Sequence, residues 1–307
     1  MATSNESTSV LAAASAELAQ IVERAGASIV AVHGRRRLPA SGIIWSHDGV
    51  IATADHVLER DEDIIVTLPD GGNKPATLVG RDPALDIAVL RLSGESTTPA
   101  VHAPADTVKV GSLVLALGRP GTPQPTASFG IISALGTQLR TARGGMLARY
   151  VRADLTFYPG FSGGALVDAQ GQIVGLNTSR LVPGLELAIP VDIVAATVKT
   201  LLTQGKVRRA YLGIITQPVA LPDSIKQKLG SNQKSGLIVV GIEPNSPADQ
   251  GGVLMGDIVT ALGSQPTATS DDLQGALSTV PVGSTVSLAI VRAGELKNLS
   301  VSPGERS

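Results

Sequence analysis

The chain has no cysteine among its 307 residues. Disulfides, thiolate metal sites and a thiol nucleophile are therefore excluded, and no cellular compartment is. Aromatic residues make up 2% of the chain, so Val, Ile, Leu and Ala must fill the cores. Charge is also sparse, at 17% charged residues with a net charge of −1. That balance gives no general attraction to nucleic acid or to an anionic membrane surface. No apolar run reaches the length of a membrane span. The opening Met1 to Ser7 lacks a positive segment, and Val10 to Ala16 is too short and too rich in Ala and Ser for a signal core.

What is plentiful is apolar residues at 43%, together with 34 Gly and 19 Pro. This composition reads as globular, with many short strands joined by tight turns, and the length suffices for two domains. Val10, Leu11, Ala14, Leu18, Ile21 and Val22 recur at helical spacing, which predicts an amphipathic helix over residues 8–25. From Ala27 to Pro190 short β runs alternate with turn signals: Ser28 to Val32, Gly42 to Trp45, Ile64 to Leu68, Leu113 to Leu117 and Ile173 to Asn177. Asp70-Gly71-Gly72 reads as a hairpin turn and Arg35-Arg36-Arg37 as a solvated basic loop. Val191 to Leu202 reads as a helix, with Asp192 in its first turn and Gly205 just past its end. Gly205 to Arg209 is the expected linker. The boundaries expected are an N-terminal segment 1–26, a first domain 27–205 and a second domain 206–307.

Three segments carry chemistry. Gly160-Phe161-Ser162-Gly163-Gly164 exposes a Ser hydroxyl in a glycine loop, where the Gly160 and Ser162 N–H groups can converge as an oxyanion hole. Thr53-Ala54-Asp55-His56-Val57 delivers His56 at the end of an apolar strand, and Asp86 directly precedes the apolar run Ile87 to Leu90. A Ser at its free pKa needs an adjacent base, an imidazole can move its proton, and a carboxylate fixes the imidazole tautomer. Asp55 is a poor partner, because neighbours in an extended segment point oppositely. Asp82 competes with Asp86, which is preferred because the strand follows it at once. His33, His47 and His102 lack the strand-end context and read as surface or packing residues. The chain order His, Asp, Ser is that of chymotrypsin.

The His56, Asp86 and Ser162 segments, with Pro159 to Leu166 around the Ser, resemble the HtrA/Deg family of trypsin-like serine proteases from about residue 15 to the end. The resemblance implies a mainly β fold: a chymotrypsin-like double β-barrel followed by a small PDZ domain, with a short N-terminal helix. It implies a serine endopeptidase acting on unfolded or misfolded proteins, with no cofactor and no metal. Tyr211-Leu212-Gly213-Ile214, Gly236 to Val240, Ser246-Pro247-Ala248 and Gly252 to Val259 are similar to PDZ sequences. Such a domain holds a C-terminal peptide as an added strand. By that resemblance Tyr211, Leu212, Gly213 and Ile214 form the carboxylate loop, Ile214 to Gln217 the accepting edge, and Leu273 and Leu277 wall the groove. Their alternative reading is PDZ core.

The specificity pocket is expected from Leu155, Thr156 and Phe157 on one side and Asn177, Thr178 and Ser179 on the other. With no Asp near Thr156, a small or medium aliphatic residue is expected before the scissile bond. The family usually has Asn where Phe161 stands and tends to have Asn at Tyr158; both departures are expected to reshape the mouth of the site or to demand a loop rearrangement. Thr137 to Gly145 sits where similar proteins have a regulatory loop. Arg140 or Arg143 there is either a relay of PDZ occupancy or part of a solvated hairpin. Partners expected are protein or peptide substrates and C-terminal peptides, with no nucleic acid, no membrane span and a possible homo-oligomer. A trimer through N-terminal aromatic residues is disfavoured, since no aromatic precedes Trp45. The family is mostly extracytoplasmic or anchored, but with no signal core and no membrane-span run this chain is expected to be a cytoplasmic member. The alternative is an extracytoplasmic protein whose signal or anchor is absent from this chain. A catalytically silent PDZ-bearing binding protein, or an ATP-independent chaperone, is the other function left open.

Overall fold

The computed structural model describes residues 9–36, 38–94, 97–105, 107–207, 210–229 and 233–305. The opening Met1 to Ser7, Arg37 of the basic run, and Arg208 and Arg209 of the expected linker lie outside them. The chain forms two compact units, Met1–Val207 and Arg208–Ser307.

In the first unit, helix α1 (Val10–Gly26) leads into β1 (Ile29–His33), β2 (Ala40–Ile44), β3 (Val50–Thr53), β4 (Ile64–Thr67), β5 (Asn73–Asp82) and β6 (Ile87–Leu92). These strands close into a barrel in the order β1-β2-β3-β6-β5-β4. The hairpin expected at Asp70-Gly71-Gly72 joins β4 to β5, with Thr67 opposite Asn73. A second closed barrel follows, built from β7 (Leu113–Gly118), β8 (Thr126–Arg140), β9 (Met146–Asp154), β10 (Ala165–Asp168), β11 (Ile173–Val182) and β12 (Leu185–Pro190). Helix α2 (Val191–Gln204) ends on Gly205, whose φ of 71° only glycine adopts at low cost. The mainly β, double-barrel expectation therefore holds. The strand runs were legible because β-branched residues recur in them at buried positions, as at Ile43, Ile44, Val50, Ile51 and Thr53.

Only the C-terminal half of α1 packs. Ile21 is buried, whereas Val10 and Leu11 are 83% and 80% exposed. The end of α1 is held by Arg119, a buried cation. Its Nε donates to Ile29 O at 2.7 Å and its Nη2 to Gly26 O at 3.0 Å, so a guanidinium caps the carbonyl end of the helix. Burial lowers the Arg119 pKa.

The second unit contains β13 (Ala210–Tyr211), β14 (Ile214–Ala220), α3 (Asp223–Leu229), β15 (Ser235–Ile242), α4 (Pro247–Gln250), β16 (Ile258–Leu262), β17 (Gln265–Pro266), α5 (Ser270–Thr279), β18 (Val286–Arg292), β19 (Glu295–Val301) and β20 (Gly304–Glu305). Its main sheet runs β14-β15-β16-β18-β19, which leaves β14 at an edge. Helix α5 starts on a capping box, with Thr269 Oγ1 accepting from Asp272 N and the Asp272 side chain accepting from Thr269 N.

Candidate active site

His56 lies on a single 3-10 turn, Asp55–Val57, immediately after β3. Asp86 occupies the turn before β6 with a φ of 58°, a left-handed conformation uncommon outside glycine. That backbone aims its carboxylate at His56. Asp86 Oδ1 accepts from the His56 backbone N at 2.9 Å, and Oδ2 pairs with His56 Nδ1 at 2.8 Å. Thr178 Oγ1 donates to the same Oδ2. The His56 and Asp86 side chains are each 7% exposed. A carboxylate on Nδ1 fixes the neutral tautomer in which Nε2 carries the free lone pair.

The Ser162 loop is braced from the first barrel. Ser41 Oγ donates to Gly160 O at 2.6 Å and accepts from Arg119 N at 2.8 Å, while Ser41 N donates to Ser162 O at 3.1 Å. Phe161 N bonds Tyr158 O at 3.0 Å, closing a turn around Pro159 and Gly160, whose φ is 94°. Gly163 also needs its positive φ of 84°, since a Cβ there would lie 2.1 Å from Ser41 O. Among the described residues, neither the Gly160 nor the Ser162 N–H donates to a protein acceptor. Two free donors flanking one turn are what a developing oxyanion requires. The Ser162 hydroxyl itself pairs with Ser179 Oγ at 3.1 Å, and no hydrogen bond joins it to the His56 ring.

Several expectations need correction. Asn177 and Thr178 do not offer their side chains to a pocket. Asn177 is buried, its Nδ2 donating to Ala165 O at 2.8 Å and its backbone bonding Gly163 and Gly164. Thr178 faces Asp86. Phe161 does not reshape the mouth: it is fully buried in the second barrel, edge-on to Tyr158 with ring centroids 5.5 Å apart. Gly118 makes that space, because a Cβ there would sit 2.7 Å from Phe161 Cδ1. Leu155 and Phe157 pack partly on the same core, and Thr156 is exposed. Leu273 and Leu277 are 4% and 5% exposed, within the core of the second unit, so core packing accounts for both.

Asp55 points away from the imidazole and is buried between Arg81 Nε at 3.0 Å and Arg143 Nη1 at 2.8 Å. Burial raises its pKa, helped by the nearby Asp86 charge, against the pull of the two arginines. Arg143 thus ties the 141–145 turn to the residue beside His56, and Arg140 lies at the end of β8. Asp82 caps the turn, accepting from Ala84 N and Leu85 N. His33 bonds Thr67, His47 bonds Thr97 O, and His102 stacks on Trp45. Tyr211 pairs with Gly304, and Leu212 and Gly213 accept at their carbonyls from Ala248 N and Glu243 N. Ile214 opens the edge strand β14. Among the described residues no cluster of three or more His, Asp or Glu is arranged to hold a metal ion.

The trypsin-like peptidase domain family matches residues 40–176, and the PDZ domain family matches residues 211–302. A serine endoprotease DegS from Haemophilus influenzae is 30% identical over 270 residues, covering 85% of this chain and 75% of that protein. The chain belongs to the HtrA/Deg family. A probable periplasmic DegP-like serine endoprotease from Pseudomonas putida is 33% identical over 269 residues, covering 86% of this chain. The HtrA/Deg chain described here spans about half, 55%, of that relative's length. Among solved structures, the HtrA-type protease AlgW with a tripeptide aligns with a TM-score of 0.77 at 30% identity, covering 94% of this chain and 97% of that one. A serine endoprotease from Yersinia pestis aligns with a TM-score of 0.77 at 29% identity, covering 94% and 98%.

One residue near the site escaped the sequence reading. Glu186 in β12 accepts a hydrogen bond from Phe157 N at 3.2 Å. No local sequence signature marks it, because its approach to Phe157 depends on where β12 lies beside the 155–157 segment.

Proposed function

We propose that this HtrA/Deg chain is a serine endopeptidase that cleaves unfolded or misfolded protein chains through an acyl-enzyme on Ser162. The observation that carries the reading is Asp86 gripping both the backbone N and the ring Nδ1 of His56. That grip leaves Nε2 to take the Ser162 proton as Oγ attacks the scissile carbonyl. The carbonyl oxygen gains charge facing the Gly160 and Ser162 N–H groups. His56 then returns the proton to the leaving amine, and a water repeats the sequence to release the acyl product. Thr178 orients Asp86 and so acts as a positioning residue.

The edge strand β14 and the Tyr211 to Ile214 loop support a groove for C-terminal peptides, which feed or regulate cleavage by strand addition. Peptide-bound HtrA-type structures support the same reading. The cytoplasmic expectation gives way to an extracytoplasmic location, supported by likeness to proteins described as periplasmic; among the described residues no helix is long and apolar enough to cross a membrane. The aliphatic preference rests on the absence of an acidic residue at the expected pocket base, Thr156.

Degradation of a permanently unfolded protein by the full chain tests the activity. Ser162→Ala and His56→Ala should each slow it by about 10⁴-fold; a loss below tenfold in either contradicts the assignment. The catalytically silent reading is favoured by one observation, the Ser162 hydroxyl resting on Ser179. It predicts no Ser162-dependent turnover of any substrate.

A further inference from the structure

We propose that a cationic cleft beside the triad takes an acidic side chain of the substrate, carried two to four residues before the scissile bond, with Arg180 as its specificity-determining residue. The inference rests on the endopeptidase reading. It adds a subsite to that reading and leaves the aliphatic residue expected immediately before the bond in place.

The cleft has a volume of about 350 Å³ and lies between the two barrels of the first unit. His56 and Asp86 line it from the first barrel, and Thr141, Arg143, Ser179 and Arg180 from the second. It starts beside the nucleophile, because Ser179 Oγ lies 3.1 Å from the Ser162 hydroxyl. From there it follows residues 179–181 of β11. Those residues stand outside the paired register with β12: Thr178 is opposite Leu187, and the next pair is Val182 opposite Leu185. The far end of the stretch is fastened to the 141–145 turn, where Ala142 N donates to Leu181 O at 2.9 Å. An extended substrate can lie along such a stretch as an added strand. Ser179 is also the exposed member of the 177–179 wall expected for the residue before the bond. A substrate continuing past Ser179 towards Leu181 therefore places its preceding residues in the cleft.

The charge left over in the cleft is positive. Its ionisable lining residues are His56, Asp86, Arg143 and Arg180. The Asp86 carboxylate is already satisfied: Oδ1 accepts from His56 N, and Oδ2 meets both the His56 ring and Thr178 Oγ1. Arg143 gives Nη1 to Asp55 at 2.8 Å, and its other side-chain nitrogens have no hydrogen-bond partner among the described residues. The exposed Arg180 guanidinium has neither an ion pair nor a hydrogen bond there; only its backbone N is engaged, with Thr178 Oγ1 at 3.2 Å. Two guanidinium groups thus accompany one satisfied carboxylate. A guanidinium meets a carboxylate through paired, charge-assisted hydrogen bonds, which are the strong ones. Arg143 also holds Asp55, the neighbour of His56, so replacing it would mix substrate binding with site geometry. Arg180 makes no such contact, and its substitution isolates the subsite.

The test measures kcat/KM of the full chain on fluorogenic peptides with Val before the bond and with Glu, Gln or Lys at the second, third or fourth position before it. The wild type should favour Glu over Gln by about threefold or more at one of these positions, with Lys cut no better than Gln there. Arg180→Gln should reduce that ratio towards one, and Arg180→Glu should reverse the order so that Lys is preferred to Glu. A merely structural or solvated Arg180 does not produce that reversal. A Glu-to-Gln ratio of about one or below at all three positions in the wild type overturns the proposal, and so does a preference for Glu that survives in Arg180→Glu. Binding of the same peptides, dye-labelled, to Ser162→Ala protein, followed by fluorescence anisotropy, reads the subsite without turnover. Binding of the Glu peptide about threefold or more tighter than the Gln peptide, with the difference lost when Arg180→Glu is added, supports the proposal; equal binding overturns it. If no peptide is cut in a Ser162-dependent way, the endopeptidase reading fails, and the anisotropy ratio still decides the subsite.

Discussion

Ser41 Oγ donates to the Gly160 carbonyl at 2.6 Å, so a first-barrel strand holds the peptide that lies between the two oxyanion donors, Gly160 N and Ser162 N. Ser41 is fully buried, and its N–H and Oγ both contact the nucleophile loop. Ser41→Ala leaves a buried carbonyl without a partner, at a cost of about 1–3 kcal/mol. If that loosening misplaces the donors, kcat should fall about 10- to 100-fold with little change in KM. Steady-state kinetics beside a melting curve checks this; a variant that melts early yet keeps its kcat refutes the bracing role.

The Ser162 hydroxyl pairs with Ser179 Oγ at 3.1 Å and makes no hydrogen bond to the His56 ring, so Ser179 competes with His56 for it. A neutral hydrogen bond of this kind contributes about 0.5–1.5 kcal/mol. Ser179→Ala should therefore speed fluorophosphonate labelling by about two- to tenfold. Slower labelling would mean that Ser179 supports the reactive state instead.

Phe161 shows where the sequence reading reached and where it stopped. The loop, its glycines and the order His56, Asp86, Ser162 were legible because each has a local signature. The direction of one aromatic side chain was not, because it depends on Gly118, distant in sequence, vacating space in the second barrel. Truncating a buried Phe costs about 3–5 kcal/mol. Phe161→Ala should accordingly lower the melting temperature of the first unit by about 6–20 °C. A shift under about 2 °C would contradict the packing described.

Asp257 carries a pH signature in the second unit. Burial pushes its carboxyl up, but Arg292 Nε and Nη2, both within 2.8 Å, and the Leu254 N–H outweigh that and hold it below the usual Asp value. The folded state thus binds fewer protons than the unfolded state in the acid range. The resulting stability is complete above the unfolded value of about 4 and is lost as pH falls through the lower folded value. Asp257→Asn should cost about 1.5–3 kcal/mol at pH 7, with the gap to wild type narrowing towards about pH 3. Urea titrations of the 208–307 transition in the full chain measure both; a gap independent of pH counts against the ion pair.

Fold class and the His56–Asp86 pair follow from short-range signals: β-branched runs, turn glycines and a His at a strand end. The pocket chemistry does not, because it is set across strands. Asn177 and Thr178 sit at consecutive positions of β11, yet one braces the Ser162 loop and the other grips Asp86. Glu186 meets Phe157 only because β12 and the 155–157 segment converge in space. Leu273 and Leu277 share a helix face as their spacing implies, and the tertiary fold turns that face into the core.

The central claim is that Ser162 is an activated nucleophile. Labelling the full chain with a fluorophosphonate, beside Ser162→Ala and with or without a C-terminal peptide for the PDZ groove, tests it most directly. The account predicts labelling of the wild type that vanishes in Ser162→Ala. Labelling that persists without the Ser162 hydroxyl, or a wild type that stays unlabelled in both conditions, would contradict it.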